Sequence, residues 1–361
     1  MKITKIETRV LSAPLKRPFR TSLREVTALE DLVVLVYTDC GLVGYGEGAA
    51  TPTITGETMG TMRAVIEYLS GFLIGRDIDE FDLLIDIIDS KILKNSSAKS
   101  ALEIALYDIR SRSKNLPLYK MLGGKRVEFE TDITISLGSI DSMVADSISA
   151  IDRGYSILKL KVGGSVEADI DRVETIYRSI DSSVTIRLDA NQGWSPQESV
   201  EILTTLESRG VDMEFVEQPV KAYDIDGLKY IKDRIETPLL ADESIFSVDD
   251  ARRVLDMEAV DLINIKLAKC GGITNALKLA DIASQYSIEC MMGCMLEGPI
   301  SVGAALHVAS ARADIITMLD LDAVNLCQTN PIDGGVVFDE SKINIVDDIG
   351  LGISPNCAVR L

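Results

Sequence analysis

One histidine in 361 residues is the most consequential shortage in this sequence. His307 lies in a small-residue helical stretch at 302–309, a setting that reads as structural. With no second histidine, a Ser-His-Asp triad or a histidine-based zinc site lacks its parts. Any general base must be Lys, Asp, Glu, Tyr or Cys. The six cysteines (Cys40, Cys270, Cys290, Cys294, Cys327, Cys357) are scattered with no CxxC pair, as expected of reduced, mostly buried thiols in a cytoplasmic enzyme. Positive charge is also short. Lys and Arg number 37 against 56 Asp and Glu, a formal net charge of −19, so no basic patch exists to displace counterions from nucleic acid. No apolar run approaches the ~18 residues of a membrane helix. Residues 1–7 alternate like a strand and lack the apolar core of a secretion signal. These absences predict a cytoplasmic protein acting on a small molecule, without nucleic acid or membrane as a partner. They leave oligomeric state open, a homo-oligomer included.

What is present has an order. Hydrophobic residues make up 46% of the chain and charged residues 26%, an ordinary globular balance able to bury a large core. The length suits an α/β barrel with a smaller companion domain. Segments 2–11, 31–38 and 42–47 read as strands, the last two joined by the turn Thr38-Asp39-Cys40-Gly41. The stretches at 18–24 and 49–56 are too apolar for idle surface and too irregular for strands, as loops that cover a site often are. Helices are predicted over 57–73, 80–93 and 97–113.

After that the pattern changes. Strand-like runs at 130–137, 157–162, 184–189, 213–217, 238–242, 261–266, 288–292 and 315–320 alternate with helical stretches near 141–153, 166–180, 196–209, 224–234, 248–256, 273–286 and 299–312. Eight strands with seven intervening helices is the alternation of a β/α barrel. An open doubly wound sheet would need a Gly-rich phosphate turn after its first strand, and none is there. Two further strand-like runs, 335–338 and 342–345, leave no room for another barrel unit and are predicted to return to the first module.

The ends of the barrel strands carry the chemistry. Lys161, Asp189, Glu217, Asp242 and Lys266 follow one another at steps of 28, 28, 25 and 24 residues, each at the end of an apolar run. That is one strand–helix unit per step, and it parks polar groups at the mouth of a barrel. Alternation puts Arg187, Asp189 and Asn191 on one side of strand 3, with Glu217 and Asp242 at matching positions on strands 4 and 5. Three acids converging this way would repel one another. A hard dication resolves the conflict, and an all-oxygen set of three favours Mg²⁺, with positions left for water and substrate. Lys159 and Lys161 share parity on strand 2. Lys266 ends strand 6, diametrically opposite in an eight-stranded barrel. A lysine is a poor base at its ordinary pKa of ~10.4, but a second lysine and a nearby dication should lower it. Lys161 is therefore predicted to act as a base, with Lys159 as its depressing neighbour. A metal between two opposed amines suits removal of a proton from one face and its return to the other.

At these residues the chain resembles the enolase superfamily, and within it the muconate-lactonizing-enzyme-like subgroup. The likeness rests on Lys159-Leu160-Lys161, Arg187-Leu188-Asp189-Ala190-Asn191, Val216-Glu217-Gln218-Pro219, Ala241-Asp242-Glu243-Ser244 and the run from Ile265 to Gly272. The pairing of a lysine base with Mg²⁺ is that superfamily's known pattern. The resemblance implies an α/β fold: a modified (β/α)7β TIM-type barrel over 127–323, an N-terminal α+β capping domain over 1–126, and a C-terminal segment over 324–361 that returns to the cap. It also implies Lys161 and Lys266 as catalytic residues and Asp189, Glu217 and Asp242 as ligands of one Mg²⁺.

The subgroup holds several reactions on one scaffold. Asp320-Leu321-Asp322 is similar to the Asp-x-Asp with which dipeptide epimerases hold a substrate ammonium. Arg24 matches the position that meets an acidic second side chain, with Arg20 nearby as the other candidate. By the same resemblance Lys159 contacts the substrate carboxylate, and Thr134, Cys294 and Met295 line the substrate; Cys294 is not expected to be a nucleophile. Glu297 is followed by Gly298-Pro299, a departure from the relatives' pattern that could alter the pocket near strand 7. Epimerisation of L-Ala-D/L-Glu from peptidoglycan peptide turnover is the activity implied. Epimerisation of other dipeptides, N-acylamino-acid racemisation and o-succinylbenzoate synthesis are the alternatives on the same scaffold.

Overall fold

A computed structural model describes residues 1–354; Cys357 and the end of the C-terminal segment lie outside the described residues. The first three strands form an antiparallel sheet, β1 (Ile3–Arg20), β2 (Glu25–Thr38) and β3 (Val43–Ala49), in that order. β1 is longer than its sequence suggests. It runs through the segment predicted as a covering loop, with a register shift between Pro14 and Phe19, so only a tight turn at 21–24 separates it from β2. Pro14 and Pro18 hid this strand: proline offers no N–H to a ladder and so reads as a break, yet it is tolerated at an edge or a bulge.

Three helices, α1 (Met59–Leu73), α2 (Phe81–Ser90) and α3 (Ser96–Ser113), complete the first layer. Thr58 caps α1 through a reciprocal bond with Thr61. The buried carboxylate of Glu57 accepts from Ser97 N and Ala98 N, at 2.8 and 3.0 Å, and so caps α3. β3 lies directly on α3. A Cβ built on Gly46 would fall 1.8 Å from the Ala101 carbonyl oxygen, so the contact requires the missing side chain.

The barrel follows. Its strands are β5 (Ile133–Ile135), β6 (Ile157–Lys161), β7 (Thr185–Asp189), β8 (Phe215–Glu217), β9 (Leu239–Ala241), β10 (Leu262–Lys266), β11 (Cys290–Gly293) and β12 (Ile316–Asp320), all parallel neighbours in chain order. They were preceded by β4 (Glu128–Glu130). The single first strand predicted at 130–137 is therefore two short ones, and β4 pairs instead with β14 (Lys342–Ile345), which pairs with β13 (Val336–Asp339). A helix follows each of the first seven barrel strands, with an extra single turn, Leu267–Cys270, directly after β10. Between β12 and β5 side chains span the seam: Asp322 Oδ2 accepts from Thr134 N at 2.6 Å, and Thr131 Oγ1 accepts from Leu321 N at 2.9 Å. The acid pair thus sits where the barrel closes.

The two layers are docked by buried acids. Glu47 on β3 accepts from Ile300 N and Ser301 N, at 2.9 and 3.0 Å, and Asp31 on β2 accepts from Gly298 N at 2.8 Å. Both stand at the N-terminus of the helix Pro299–Ala311, where unpaired N–H groups favour negative charge. The chain's last described stretch also touches the first module: Leu351 N donates to Asp108 on α3, and Leu118 N donates to Gly350 O. Among the described residues no helix is long and apolar enough to cross a membrane.

His307, on the helix Pro299–Ala311, is fully buried, and its Nδ1 accepts from Tyr119 N at 2.8 Å. Nε2 carries the ring proton and meets no partner, so the residue is structural, as the sequence suggested. Burial pushes its pKa down to about 3. The unfolded chain takes up the proton near pH 6.5 and the folded chain does not, so stability present above pH 6.5 is lost as pH falls toward 3. Urea denaturation of the unaltered protein minus that of His307→Gln should give a difference that declines by about 1.4 kcal/mol per pH unit between pH 6 and 4. A flat difference would show that His307 protonates normally in the folded protein.

Candidate functional site

Register brings the predicted residues to one end of the barrel. Lys161, Asp189 and Glu217 terminate β6, β7 and β8 and lie side by side in the ladder. Asp242 is the first residue past β9, Lys266 ends β10, and Asp320 ends β12. Every one of them is buried. Parallel strands with a helical return after each leave their C-terminal ends level, so six strands deliver six charged groups to one plane.

Acids and amines interlock there. Lys159 Nζ lies 2.6 Å from Glu217 Oε2, 2.6 Å from Asp320 Oδ2 and 3.3 Å from Asp189 Oδ2. Lys161 Nζ is 2.5 Å from Asp189 Oδ2, and Lys266 Nζ is 2.8 Å from Asp242 Oδ2. Lys269, on the single helical turn Leu267–Cys270, reaches back to Asp242 Oδ1 at 2.5 Å. Lys159 itself is bonded to carboxylates on three strands and not to Lys161. Burial alone would lower the pKa of Lys159 and Lys266, but Asp320 and Glu217 around the first, and Asp242 and Glu217 around the second, hold both well above the ordinary value. Buried carboxylates here outnumber the amines, so each amine is drawn to acids and not to another amine.

The acids divide accordingly. Against the cost of burial, Lys266 and Lys269 hold Asp242 below the usual carboxylate range, and Lys159 does the same for Asp320. Burial and Asp189 push Glu217 up to about 7; burial and Asp242 push Glu243 up to about 8. Asp322, raised by burial and by Asp320, stands at about 6. Among the described residues no three acids form a ready cage for an ion, since each is bonded toward a lysine. The donor set nonetheless suits a hard dication. All donors are oxygens on neighbouring strands, acids exceed cations, and Glu243 Oε2 and Asn191 Oδ1 are buried without a hydrogen-bond partner.

Above this floor opens a cavity, in part continuous with solvent. Lys161, Lys266, Asp242, Asp320 and Asp322 line it, joined by Thr134, Cys294, Met295 and Asn191. Lys159, Asp189 and Glu217 do not line it; Lys159 is bonded to Asp320 and Asp189 to Lys161, which do, and Glu217 is bonded to Lys159 behind them. From the first layer come Arg24 and Phe19 beside the 21–24 turn and Ile54 beyond β3. Arg24 and Arg20 are now distinguished. Arg20 is exposed and bonded to Glu25 at 2.8 Å. Arg24 lines the cavity, its pKa is lowered by burial, and no carboxylate among the described residues lies within ion-pair distance of it. A half-buried guanidinium without an acid partner can take one from outside. Burial and Asp320 push the Cys294 thiol well up, which leaves it inert as a nucleophile.

Several residues escaped the sequence reading. Lys269 is one, three residues after Lys266 in the same motif. Gln218 is another: its Oε1 accepts from Asp242 N at 2.9 Å, and its Nε2 donates to Ser244 Oγ at 2.8 Å, so it ties the turns after β8 and β9 together. Gln218 and Asn191 sit at φ 37° and 41°, a strain that side-chain-bearing residues sustain mainly at constrained sites. Asn264 Nδ2 holds Glu217 Oε1 at 2.8 Å. Gly293 makes the room for Lys266, whose Cε would lie 2.9 Å from an added Cβ. Gly298 and Pro299 are absent from the cavity wall. A Cβ at Gly298 would meet Glu47 Oε1 at 2.1 Å, so this departure serves the docking of the two layers.

Comparison with known proteins agrees with this geometry. Residues 5–123 match the mandelate racemase / muconate lactonizing enzyme N-terminal domain, and residues 143–359 match the enolase C-terminal domain-like family. An L-Ala-D/L-Glu epimerase of Clostridium acetobutylicum is 47% identical, with 95% of this chain and 96% of that protein covered. The substrate-liganded structure of the L-Ala-D/L-Glu epimerase from Bacillus subtilis superposes with a TM-score of 0.96 at 41% identity, covering 98% of this chain and 99% of the other. A dipeptide epimerase from Enterococcus faecalis, complexed with Mg and L-Leu-L-Tyr, gives a TM-score of 0.94 at 38% identity, covering 98% of this chain and 100% of the other.

Beneath the site Arg187 crosses from β7 toward β12. Its Nη1 donates to Asp132 at 2.7 Å and to Leu319 O at 2.8 Å, and its Nε to Glu214 at 2.5 Å. Glu214 is part-exposed and could be solvated alone, whereas Asp132 is fully buried. Arg187→Met should therefore cost about 3–5 kcal/mol in urea denaturation by stranding a buried charge. Adding Asp132→Asn should restore part of the loss, and strictly additive costs would refute the coupling.

Proposed function

The chain belongs to the mandelate racemase / muconate lactonizing enzyme family, and from that premise we propose that it is a Mg²⁺-dependent dipeptide epimerase. Its substrate is L-Ala-D/L-Glu, inverted at the α-carbon of the second residue. The observation that carries this reading is the convergence on one cavity of two opposed lysines, an acid pair and an arginine without an acid partner. The relatives named above support the reaction, and the Enterococcus complex supports the metal.

The parts divide as follows. Lys161 and Lys266, from strands opposite in the barrel, stand on either side of the α-carbon as the catalytic residues. One, as the free amine, takes the α-proton; the electron pair passes into the adjacent carboxylate, and the other, as the ammonium, delivers a proton to the opposite face. Mg²⁺ held by Asp189, Glu217 and Asp242 would supply the positive charge that stabilises the substrate's carboxylate as it gains that electron pair. Lys159 supports the same carboxylate. Asp320 and Asp322 take the ammonium of the first residue, and Arg24 takes the second side chain's carboxylate. Thr134, Cys294 and Met295 shape the walls.

An N-acylated amino acid has no ammonium and would leave the acid pair facing an uncharged group, which disfavours that alternative. The chain divides in this reading into a cap over 1–126, a barrel over 127–323 and a C-terminal segment over 324–361. The protein works in the cytoplasm on peptides from peptidoglycan turnover.

Incubation with L-Ala-L-Glu and Mg²⁺ in D₂O, followed by proton NMR, should show loss of the Glu α-proton and growth of a second diastereomer. No exchange with any dipeptide would sink the proposal. Replacing Lys161 or Lys266 with Ala should abolish epimerisation yet leave α-proton exchange in one epimer only, slowed about 10²–10⁴-fold in the other. Equal loss in both epimers would defeat the two-face assignment. Arg24→Met should lower kcat/KM for a Glu second residue by about 10–100-fold and spare a neutral second residue; an equal loss for both would remove Arg24 from specificity.

A further inference from the structure

We propose that Phe19 is a positioning residue for Lys161, and that the turn at 21–24, latched to the barrel by Ser22, holds it in place. The inference rests on the epimerase reading and extends it to the two sides of the reaction, which are not built alike.

Lys161 Nζ lies 5.8 Å from the centroid of the Phe19 ring, and both residues line the cavity. No aromatic ring among the described residues stands over Lys266; that lysine is accommodated instead by the bare backbone of Gly293. One base therefore works under an aromatic face supplied by the first layer, and the other works wholly within the barrel. A ring face attracts a cationic side chain, so Phe19 fixes where the Lys161 amine sits relative to the cavity. The ring also shields the amine from water.

The turn is placed to hold that ring. Phe19 and Arg20 pair with Val26 and Glu25 at the end of β1. Leu137 N, just past β5, donates to Arg20 O at 3.0 Å. Ser22 Oγ lies 2.9 Å from Asn191 O and 3.1 Å from Ala190 O, just past β7. Within the turn Thr21 Oγ1 accepts from Leu23 N at 3.1 Å. β5 and β7 are the two neighbours of β6, the strand that carries Lys161, so the first layer is fastened on both sides of this one lysine. Gly163, at φ +110°, makes the approach possible: an added Cβ would lie 2.9 Å from Ser22 Cβ.

Exchange of the α-proton in D₂O without inversion needs one lysine only, so the two epimers report separately on the two faces. Phe19→Ala should slow exchange of the epimer served by Lys161 by about tenfold or more and change that served by Lys266 by less than about twofold. Phe19→Leu, which keeps the apolar bulk and guards against a folding failure, should shift exchange in the same direction by a smaller factor, as should Ser22→Ala. Acylation with an N-hydroxysuccinimide ester, read by peptide mass spectrometry, should rise several-fold at Lys161 in Phe19→Ala and stay unchanged at Lys266. Equal slowing of both epimers, or no slowing of either, together with unchanged labelling of Lys161, would overturn the assignment. Absence of exchange in the unaltered protein would strike the epimerase reading instead, and the labelling ratio would still decide whether Phe19 seats Lys161.

Discussion

A buried lysine shared among three carboxylates is the interaction on which the barrel mouth depends. Lys159 touches Glu217, Asp320 and Asp189 at once, from a side chain with essentially no exposure. Without it, acids at the ends of β7, β8 and β12 would face one another across a medium that screens poorly, and several would hold protons. Arg187 does the same one layer deeper for Asp132 and Glu214. Such pairs are costly to bury and costlier to break. Their persistence at one end of the barrel, beside an inner cluster of Phe215, Leu240 and Met291, marks that end as built for charge and not for packing.

The first layer supplies what a barrel end lacks. Strand ends present reactive groups but leave them open to water, and they hold little that could distinguish one side chain from another. β1 and β2 close over them through a turn bonded to strand neighbours on both sides of Lys161. The docking is firm because it uses a helix N-terminus: Glu47 and Asp31 complete N–H groups that the helix Pro299–Ala311 cannot satisfy itself. The interface joining the two layers is polar and buried.

Local pattern sufficed wherever a property belongs to one segment. The strand ends at Lys161, Asp189, Glu217, Asp242 and Lys266 were legible because period-two alternation and the length of a strand–helix unit are properties of consecutive residues. His307 was legible for the same reason, from a small apolar helix around it. Pro14 and Pro18 misled, because a local breaker was overruled by pairing with the next strand across the turn. The first barrel strand misled too, since β4 is claimed by β14, more than two hundred residues away in sequence.

The sequence by itself therefore determined the barrel, its order of charged strand ends and the class of chemistry those charges permit. Tertiary structure alone decided which acid each lysine meets, and so drew Lys159 to carboxylates and not to Lys161. It also turned Arg24 inward and Arg20 outward, brought Lys269 back onto Asp242, and set Phe19 over Lys161 and not over Lys266. The physical reason is that charge and packing act through space. A residue's period says which way it faces, but what it faces is fixed only when the eighth strand comes round beside the first.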